Sequence, residues 1–226
     1  MKKAFFFDMD GILFDSMPHH SQAWEEIMSK YNLNFTVRDC YLQEGRTGQS
    51  VIDECFIKNK GRHAPAEEVE QIYGEKTARF FELGGAEPID GVKDVLNYLK
   101  NNGALIFIVT GSGQQSLFDV LHQNFPETFT RERMITAFDV AHCKPNPEPY
   151  LKAFEKAKFL SHDDNFKKSD CCVIENAPLG IRSAREAGLD TYAVNTGPLK
   201  DSDLLAEQPT MLFHNMKELL AYLQIF

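Results

Sequence analysis

The chain alternates short apolar runs with longer stretches in which apolar residues recur every three or four positions. Four runs end abruptly in polar residues, at 4–7, 104–109, 134–138 and 171–174. Two further runs, 191–194 and 211–213, lie near the end of the sequence. Short apolar runs separated by helical stretches are typical of a parallel sheet that helices cover on both faces. The pattern therefore predicts an α/β fold with a doubly wound parallel sheet.

Residues from about 17 to 84 break this alternation. They contain no convincing strand but three or four amphipathic helical stretches, including 18–31, 49–59 and 66–83. The alternating pattern resumes after the segment Gly-Gly-Ala-Glu-Pro at 84–88. This order predicts a small α-helical domain, residues 17–85, inserted into an α/β domain formed by residues 1–16 and 86–226. The chain would cross between the two domains near 15–18 and 84–88, which makes these segments hinge candidates.

Composition narrows the classes of partner. The 226 residues include 24 Lys and Arg against 33 Asp and Glu, a net charge of −9, which argues against nucleic acid or an anionic membrane as the main partner. No apolar run approaches the roughly 18 residues of a membrane span. The N-terminus lacks a signal-peptide pattern, and the five cysteines show no C-x-x-C pair. We expect a cytoplasmic protein, and a monomer, although the sequence leaves the oligomeric state open.

Polar residues follow four of the apolar runs, where an open parallel sheet binds its ligands. They are Asp8 and Asp10 after the first run, Thr110-Gly111-Ser112-Gly113 after the second, Lys144 after the third, and Glu175 and Asn176 after the fourth. Carboxylates with no neighbouring His or Cys pair favour a hard cation such as Mg²⁺. A phosphoryl group could bridge this cation, the lysine and the Gly-rich turn. The set predicts phosphoryl transfer, with one aspartate as nucleophile and the other as acid/base.

Each of these signals taken alone has an ordinary structural explanation. The Asp-Met-Asp-Gly segment could form a turn, and Lys144 could be a solvated charge. Glu175 and Asn176 could cap a helix that begins near Ala177. A dinucleotide-binding fingerprint would need Gly at position 116, where Ser116 stands, so that reading is rejected. Four polar signals at the ends of four alternating runs together favour a functional site.

With these motifs the sequence resembles the haloacid dehalogenase (HAD) superfamily over essentially the whole chain. The resemblance implies a Rossmann-like core, with the helical insert as a mobile cap over the site. It further implies that Asp8 is the nucleophile that forms an aspartyl-phosphate and that Asp10 is the general acid/base. Thr110 and Lys144 would hold the phosphoryl group. Mg²⁺ would be bound by Asp8, the backbone carbonyl of Asp10 and the fourth motif, Glu175-Asn176.

The fourth motif departs from the family pattern, which usually ends in Asp where this chain has Asn176. An amide oxygen can still bind Mg²⁺, but the site loses one negative charge. Another carboxylate could compensate, and Glu44 in the predicted cap is the candidate. The alternative is that Glu44 is a solvated loop acid.

Within the superfamily the chain is most similar to the branch that contains β-phosphoglucomutase, through Asp15, His20, Ala23, Trp24 and Lys76. In the mutase a cap arginine grips the distal phosphate of a sugar bisphosphate. The nearest equivalent here is Gly48, with Arg46 two residues earlier, which counts against mutase chemistry.

A closer resemblance is to a subgroup of this branch that hydrolyses inorganic pyrophosphate. That subgroup shares the Asn of the fourth motif and has a cap glutamate that reaches the metal. By this resemblance Lys76, Arg46 and His20 would neutralise the leaving phosphate, with Gly111 and Ser112 also contacting the substrate. Lys76 could instead be solvated, and His20 could only anchor the hinge. The resemblance implies pyrophosphate hydrolysis, with a β-phosphoglucomutase, a broad sugar-phosphate phosphatase and a non-catalytic phosphate-binding protein as alternatives.

Overall fold

The computed structural model describes residues 2–112, 117–126 and 128–225, so Gly113 and Ser116 lie outside the described residues. Its strands are β1 Ala4–Phe7, β2 Leu105–Val109, β3 Met134–Ile135, β4 Cys171–Glu175, β5 Asp190–Val194 and β6 Met211–Phe213. They form one parallel sheet in the order β3-β2-β1-β4-β5-β6. The predicted doubly wound α/β fold is confirmed.

Helices connect the strands and also form the insert after β1. The described α-helices are α1 Met17–Lys30, α2 Val37–Leu42, α3 Gly48–Lys60, α4 Ala66–Glu82, α5 Val92–Asn101, α6 Leu117–Asn124, α7 Glu148–Ser161, α8 Pro178–Glu186, α9 Asp201–Leu205 and α10 Met216–Leu223. Short 3₁₀ turns lie at Arg131–Arg133, Ala137–Asp139 and Lys168–Asp170. None of the described helices is both long enough and apolar enough to cross a membrane.

The central strand β1 is buried on both faces of the sheet. Phe5 and Phe7 pack with α5 and α10, whereas Ala4 and Phe6 pack with α7 and α8. Successive side chains of a strand point to opposite faces, so a strand buried on both faces must be apolar throughout. Burial of each phenylalanine contributes about 1.5–3 kcal/mol to folding. This explains why the run before Asp8 has no polar residue.

The third strand is shorter than the sequence suggested. The apolar run at 134–138 predicted a longer element, but β3 ends at Ile135 and a 3₁₀ turn begins at Ala137. Thr136 causes the break, because its backbone N–H and its hydroxyl both donate to Asp139 Oδ2, at 2.8 and 2.7 Å. This side-chain cap favours a turn over continued pairing in the sheet.

Helices α1–α4 share an apolar cluster, and that cluster continues onto the α/β part of the chain at Ile181, Ala193, Leu199 and Leu204. The two predicted crossing segments run side by side. Asp15 donates its backbone N–H to the Glu87 carbonyl at 2.8 Å, and Ile89 donates to the Leu13 carbonyl at 3.0 Å. A pair of adjacent connections is what a hinge between two domains requires. The division at residues 17 and 85 stays a prediction.

Candidate active site

The parallel register brings the ends of β1, β2 and β4 to one edge of the sheet. Phe7 lies opposite both Ile108 and Ile174, and the Asp8 N–H donates to the Ile174 carbonyl at 3.0 Å. Asp8 and Thr110, which follow β1 and β2, therefore converge with Glu175, the last residue of β4, and with Asn176. Lys144 joins them through hydrogen bonds to Asp8 and Glu175. We call this group the floor of the site: Asp8, Thr110, Lys144, Glu175 and Asn176, all of which are buried.

Lys144 is the central cation of the floor. Its Nζ donates to Asp8 Oδ1 at 2.5 Å, to Glu175 Oε1 at 2.7 Å and to the Val109 carbonyl at 3.0 Å. Burial lowers the pKa of Lys144, but Asp8 and Glu175 outweigh that effect and hold the pKa well above 10.5. Burial raises the pKa of Asp8 to about 7, against the attraction of Lys144 and with repulsion from Glu175. The floor thus contains more buried carboxylate than its one lysine compensates.

Glu175 is held by a complete set of hydrogen bonds. Oε1 accepts from Lys144 and from the Tyr150 hydroxyl at 2.8 Å. Oε2 accepts from the backbone N–H groups of Asn176 and Ala177, both at 3.0 Å, at the start of α8. A Cβ at Gly180 would come within 1.8 Å of Glu175 Oε1, so this carboxylate requires glycine there. Glu175 therefore holds the turn that precedes α8, but it does not cap the helix, because no described side chain caps the first turn of α8.

Asn176 connects the floor to Glu44 of the helical insert. Its Nδ2 donates to both carboxylate oxygens of Glu44, each at 3.0 Å. Its Oδ1 is buried and has no hydrogen-bond partner among the residues that the structure describes. Burial, followed by repulsion from Asp8, raises the pKa of Glu44 well above 4.5. The alternative that Glu44 is a solvated loop acid therefore does not hold, because this carboxylate accepts two hydrogen bonds from Asn176 of the floor.

These donors fit a hard cation. An unpartnered amide oxygen lies beside carboxylates whose pKa values are raised, and oxygen-rich groups of this kind are the ligands that Mg²⁺ prefers. Within residues 2–112, 117–126 and 128–225, no group of three or more His, Cys, Asp and Glu side chains is arranged to hold a metal. The sequence predicted three carboxylate ligands, Asp8, Glu44 and Glu175, and the described side chains do not bring these three into such a group.

Asp10 lies beyond the floor and contacts Ser16 in the first crossing segment and His20 of the insert. Asp10 Oδ1 accepts from the Ser16 hydroxyl at 2.5 Å and lies 3.4 Å from His20 Nε2. Lys76 Nζ lies 2.7 Å from His20 Nδ1. An ammonium group only donates, so Nδ1 accepts and the imidazole proton is on Nε2, facing Asp10. Burial raises the pKa of Asp10, but His20 and Ser16, aided by Lys76, outweigh burial and bring the pKa below 3.8.

Lys76 is a buried cation in an aromatic setting and is not solvated. It is 5% exposed, and its Nζ lies 5.1 Å from the Trp24 ring and 5.5 Å from the Phe80 ring. Burial lowers the pKa of Lys76 to about 8. His20 stacks on Phe80 with ring centroids 4.0 Å apart. Both predicted cap residues therefore face the site.

The turn after β2 and the turn between α2 and α3 are in close contact. Ser112 donates its backbone N–H to Thr110 Oγ1 at 3.0 Å. A Cβ at Gly111 would lie 3.0 Å from the Gly45 carbonyl oxygen, and a Cβ at Gly45 would lie 3.0 Å from Lys144 Cδ. Two facing glycines therefore allow the insert to approach the floor this closely. Gly113, which the sequence placed in the same turn, lies outside the described residues.

A cavity of about 200 Å³ lies between the floor and the insert. Its lining includes Asp8, Asp10, Thr110, Gly111, Ser112, His20, Glu44, Arg46 and Lys76, as well as Gln43, Trp24 and Tyr73. Arg46 Nη1 pairs with Glu54 Oε2 at 2.8 Å. Nearly all the predicted site residues thus surround one cavity or lie directly beneath it.

Three residues of the site were missed in the sequence: Ser16, Gln43 and Tyr150. Gln43 directly precedes Glu44, so its place in the candidate cap segment was a usable signal. Ser16 lies next to Asp15 in a predicted hinge, but nothing in the sequence connects it to Asp10. Tyr150 lies in α7, and its contact with Glu175 forms only when α7 packs on the sheet.

The chain is similar to one protein family, to solved structures and to characterised enzymes. Residues 2–188 match the haloacid dehalogenase-like hydrolases. A solved structure from Bacteroides vulgatus, provisionally described as a β-phosphoglucomutase, is 43% identical with a TM-score of 0.91, over 99% of this chain and 88% of that one. Fructose-1-phosphate phosphatase of Escherichia coli is 26% identical over 83% of this chain and 94% of its own length. β-Phosphoglucomutase of Bacillus subtilis is 25% identical over 93% of this chain and 91% of its own.

These matches agree with the four motifs and with the geometry of the floor. They confirm the resemblance to HAD phosphatases and to their β-phosphoglucomutase-like branch. The chain belongs to the haloacid dehalogenase-like hydrolase family.

Proposed function

We propose that this protein is a Mg²⁺-dependent phosphohydrolase that splits inorganic pyrophosphate into two phosphates through an aspartyl-phosphate on Asp8. The main support is the position of Glu44, which reaches Asn176 with both carboxylate oxygens and closes one side of the cavity. At about 200 Å³ the cavity is smaller than the roughly 300–1,000 Å³ of most small-molecule pockets. The small volume favours a small substrate over a sugar phosphate.

The cation would be held by Asp8, the backbone carbonyl of Asp10, Asn176 and Glu44. Glu175, also predicted as a ligand, has both oxygens in hydrogen bonds, so we propose that it supports the site through Lys144 and α8. When bound, Mg²⁺ would offset the negative charge of the phosphoryl oxygens.

Asp8 attacks one phosphorus atom of pyrophosphate. The substrate is hydrogen pyrophosphate, protonated on the second phosphate; the bridging P–O bond breaks, its electron pair goes to that second phosphate, and it leaves with its proton as hydrogen phosphate. Lys144 orients Asp8 through Oδ1 and lies where negative charge builds up on the transferred group. Thr110, at the end of β2, would donate its hydroxyl to the same group.

Asp10 is the acid/base of the second step. It takes a proton from a water molecule, which attacks the phosphorus, and the bond to Asp8 breaks to release the second phosphate. Ser16 and His20 both contact Asp10 Oδ1 and fix the carboxylate in place. His20 and Lys76, with Arg46, would neutralise the departing phosphate, and Gly111 and Ser112 would contact the substrate from the turn after β2.

Sugar phosphates are the alternative substrates. The Escherichia coli relative is named a fructose-1-phosphate phosphatase, and the Bacillus subtilis relative a β-phosphoglucomutase. Steady-state kcat/KM values for pyrophosphate, β-glucose 1-phosphate, fructose 1-phosphate and hexose 6-phosphates distinguish the three activities. We expect the highest value for pyrophosphate, and the lowest value in this panel would contradict the proposal.

A cytoplasmic location and a monomeric state remain predictions. All five cysteines are free, which suits a reducing compartment. Light scattering of the purified protein would test the monomer.

A further inference from the structure

The loop that follows β1 folds back on itself. We call residues 8–14 the β1 loop. The Phe14 N–H donates to the Met9 carbonyl at 3.1 Å, and the Gly11 N–H donates to the Phe14 carbonyl at 2.8 Å. No described residue donates a backbone N–H to the Asp10 carbonyl, the expected ligand of Mg²⁺. The hydrogen bonds of the β1 loop therefore leave this carbonyl for a cation.

One side chain from outside the β1 loop holds the peptide that follows Asp10. Thr196 Oγ1, from the segment after β5, donates to the Gly11 carbonyl at 2.6 Å. Gly11 has a φ of +74°, in the left-handed region that glycine enters without strain. Because glycine adopts many backbone conformations, its own chemistry does not fix the direction of the neighbouring carbonyl groups. The hydroxyl of Thr196 supplies that constraint from a distant part of the chain.

The segment that carries this hydroxyl is itself braced. We call residues 195–200 the β5 loop. Asn195 donates its backbone N–H to the Phe213 carbonyl at 2.8 Å, which joins the loop to β6. Its Nδ2 donates to the Leu199 carbonyl at 3.0 Å and to Asp201 Oδ1 at 2.7 Å. The β5 loop is therefore fixed at both ends, so it can hold the β1 loop in one position.

We propose that Thr196 is a positioning residue for the metal site. Its hydroxyl holds the Gly11 peptide and so fixes the direction of the adjacent Asp10 carbonyl. The inference rests on the proposed function, in which that carbonyl is a ligand of Mg²⁺. Partners that orient the ligands of a metal ion typically contribute ten- to a hundredfold to metal affinity. In this role Thr196 acts only through Gly11 and need not touch the cation or the substrate.

Calorimetric titration of Mg²⁺ into the purified protein tests the role of this hydroxyl. Thr196→Val replaces the hydroxyl with a methyl group, and we expect the Kd for Mg²⁺ to rise about tenfold, equivalent to ~1.4 kcal/mol. Thr196→Ala removes the hydroxyl without adding a methyl group and should give the same loss. Thr196→Ser keeps the hydroxyl and should bring the Kd back to within about twofold of the wild-type value.

Thr191, at the other end of β5, offers a matched control. Its Oγ1 also donates to a backbone carbonyl, that of Leu189, at 3.3 Å, and the side chain is buried. Thr191→Val therefore removes a hydrogen bond of the same kind far from the β1 loop. We expect this variant to lose stability in thermal unfolding but to bind Mg²⁺ with an unchanged Kd.

Three results would contradict the positioning role: an unchanged Kd in a folded Thr196→Val protein, the same weakening in Thr191→Val, or a Thr196→Ser protein that binds Mg²⁺ as weakly as Thr196→Val. A wild-type protein that binds no Mg²⁺ would overturn the proposed function and this inference with it. Normal binding by the wild-type protein together with an unaffected Thr196→Val protein would overturn this inference alone. The titration contains no substrate, so the kinetic panel decides separately whether pyrophosphate is preferred.

Discussion

Residues 43–46 between α2 and α3, which we call the cap turn, line the same cavity as the floor but satisfy their polar groups differently. On the floor, Lys144 makes three hydrogen bonds within the fold and Glu175 uses both oxygens. In the cap turn, Gln43 Oε1 and Arg46 Nε have no partner within the described chain. The fold itself therefore fixes the geometry of the floor, whereas hydrogen bonds within the described chain do not fix these two groups of the cap turn.

Glu44 and Asn176 join the two regions. Asn176 belongs to the floor, yet its Oδ1 is unpartnered within the described residues, and its Nδ2 is bonded to Glu44. A Cβ at Gly11 would lie 2.2 Å from Asn176 Nδ2, so the loop after β1 requires glycine to leave room for this amide. The unsatisfied position on the floor is thus where the metal is expected.

Removal of the nucleophile should have the largest effect on turnover. We expect Asp8→Asn to lower kcat by roughly a thousandfold or more, because the amide cannot form the covalent intermediate. The protein should remain folded, since Lys144 keeps Glu175 and the Val109 carbonyl as partners. Steady-state kinetics with a thermal unfolding control would measure this, and Asp164→Asn, an exposed aspartate in a turn, should have normal activity. Substantial turnover by Asp8→Asn would assign the nucleophile elsewhere.

Removal of the carboxylate that joins the two regions should have an intermediate effect. We expect Glu44→Ala to raise the half-saturating Mg²⁺ concentration about ten- to a hundredfold, a range typical of lost support at a metal site. Both activity and calorimetric Mg²⁺ binding would report the change. Glu25→Ala on the exposed side of α1 is the matched control. Normal metal dependence in Glu44→Ala would exclude Glu44 from the metal site. The cap turn would then contribute no ligand to a metal on the floor.

The smallest effect is expected at an ion pair between α2 and α9, in which Arg38 Nη2 lies 2.9 Å from Asp203 Oδ1. The Arg38 side chain is 53% exposed, and exposed ion pairs contribute about 0–1 kcal/mol. Arg38→Ala should therefore lower the free energy of unfolding by less than about 1 kcal/mol. It should change kcat/KM by less than about twofold, the factor that ~0.4 kcal/mol represents.

A double-mutant cycle with Asp203→Ala would measure the coupling of this pair directly. A large loss of kcat/KM with unchanged stability would show instead that the Arg38–Asp203 ion pair helps to hold the insert over the floor.

Much of the floor was predictable because its residues follow a simple rule. Parallel strands end at one edge of a sheet, so Asp8, Thr110 and Glu175 are neighbours once the apolar runs are recognised as strands. The helical insert was visible as a break in the alternation. The length of β3 could not be predicted, because Thr136 and Asp139 form a side-chain cap that ends the strand within an apolar run.

The remaining contacts depend on how the insert packs over the sheet. The sequence by itself determined the sheet, its polar strand ends and, through family motifs, the expected chemistry, since these follow from local pattern and strand direction. Only the tertiary structure decided that Glu44 meets Asn176, that Lys76 is buried beside His20, and that Gln43 and Arg46 line the cavity. The physical reason is that these contacts join segments far apart in the chain, and their geometry depends on the packing of the whole insert.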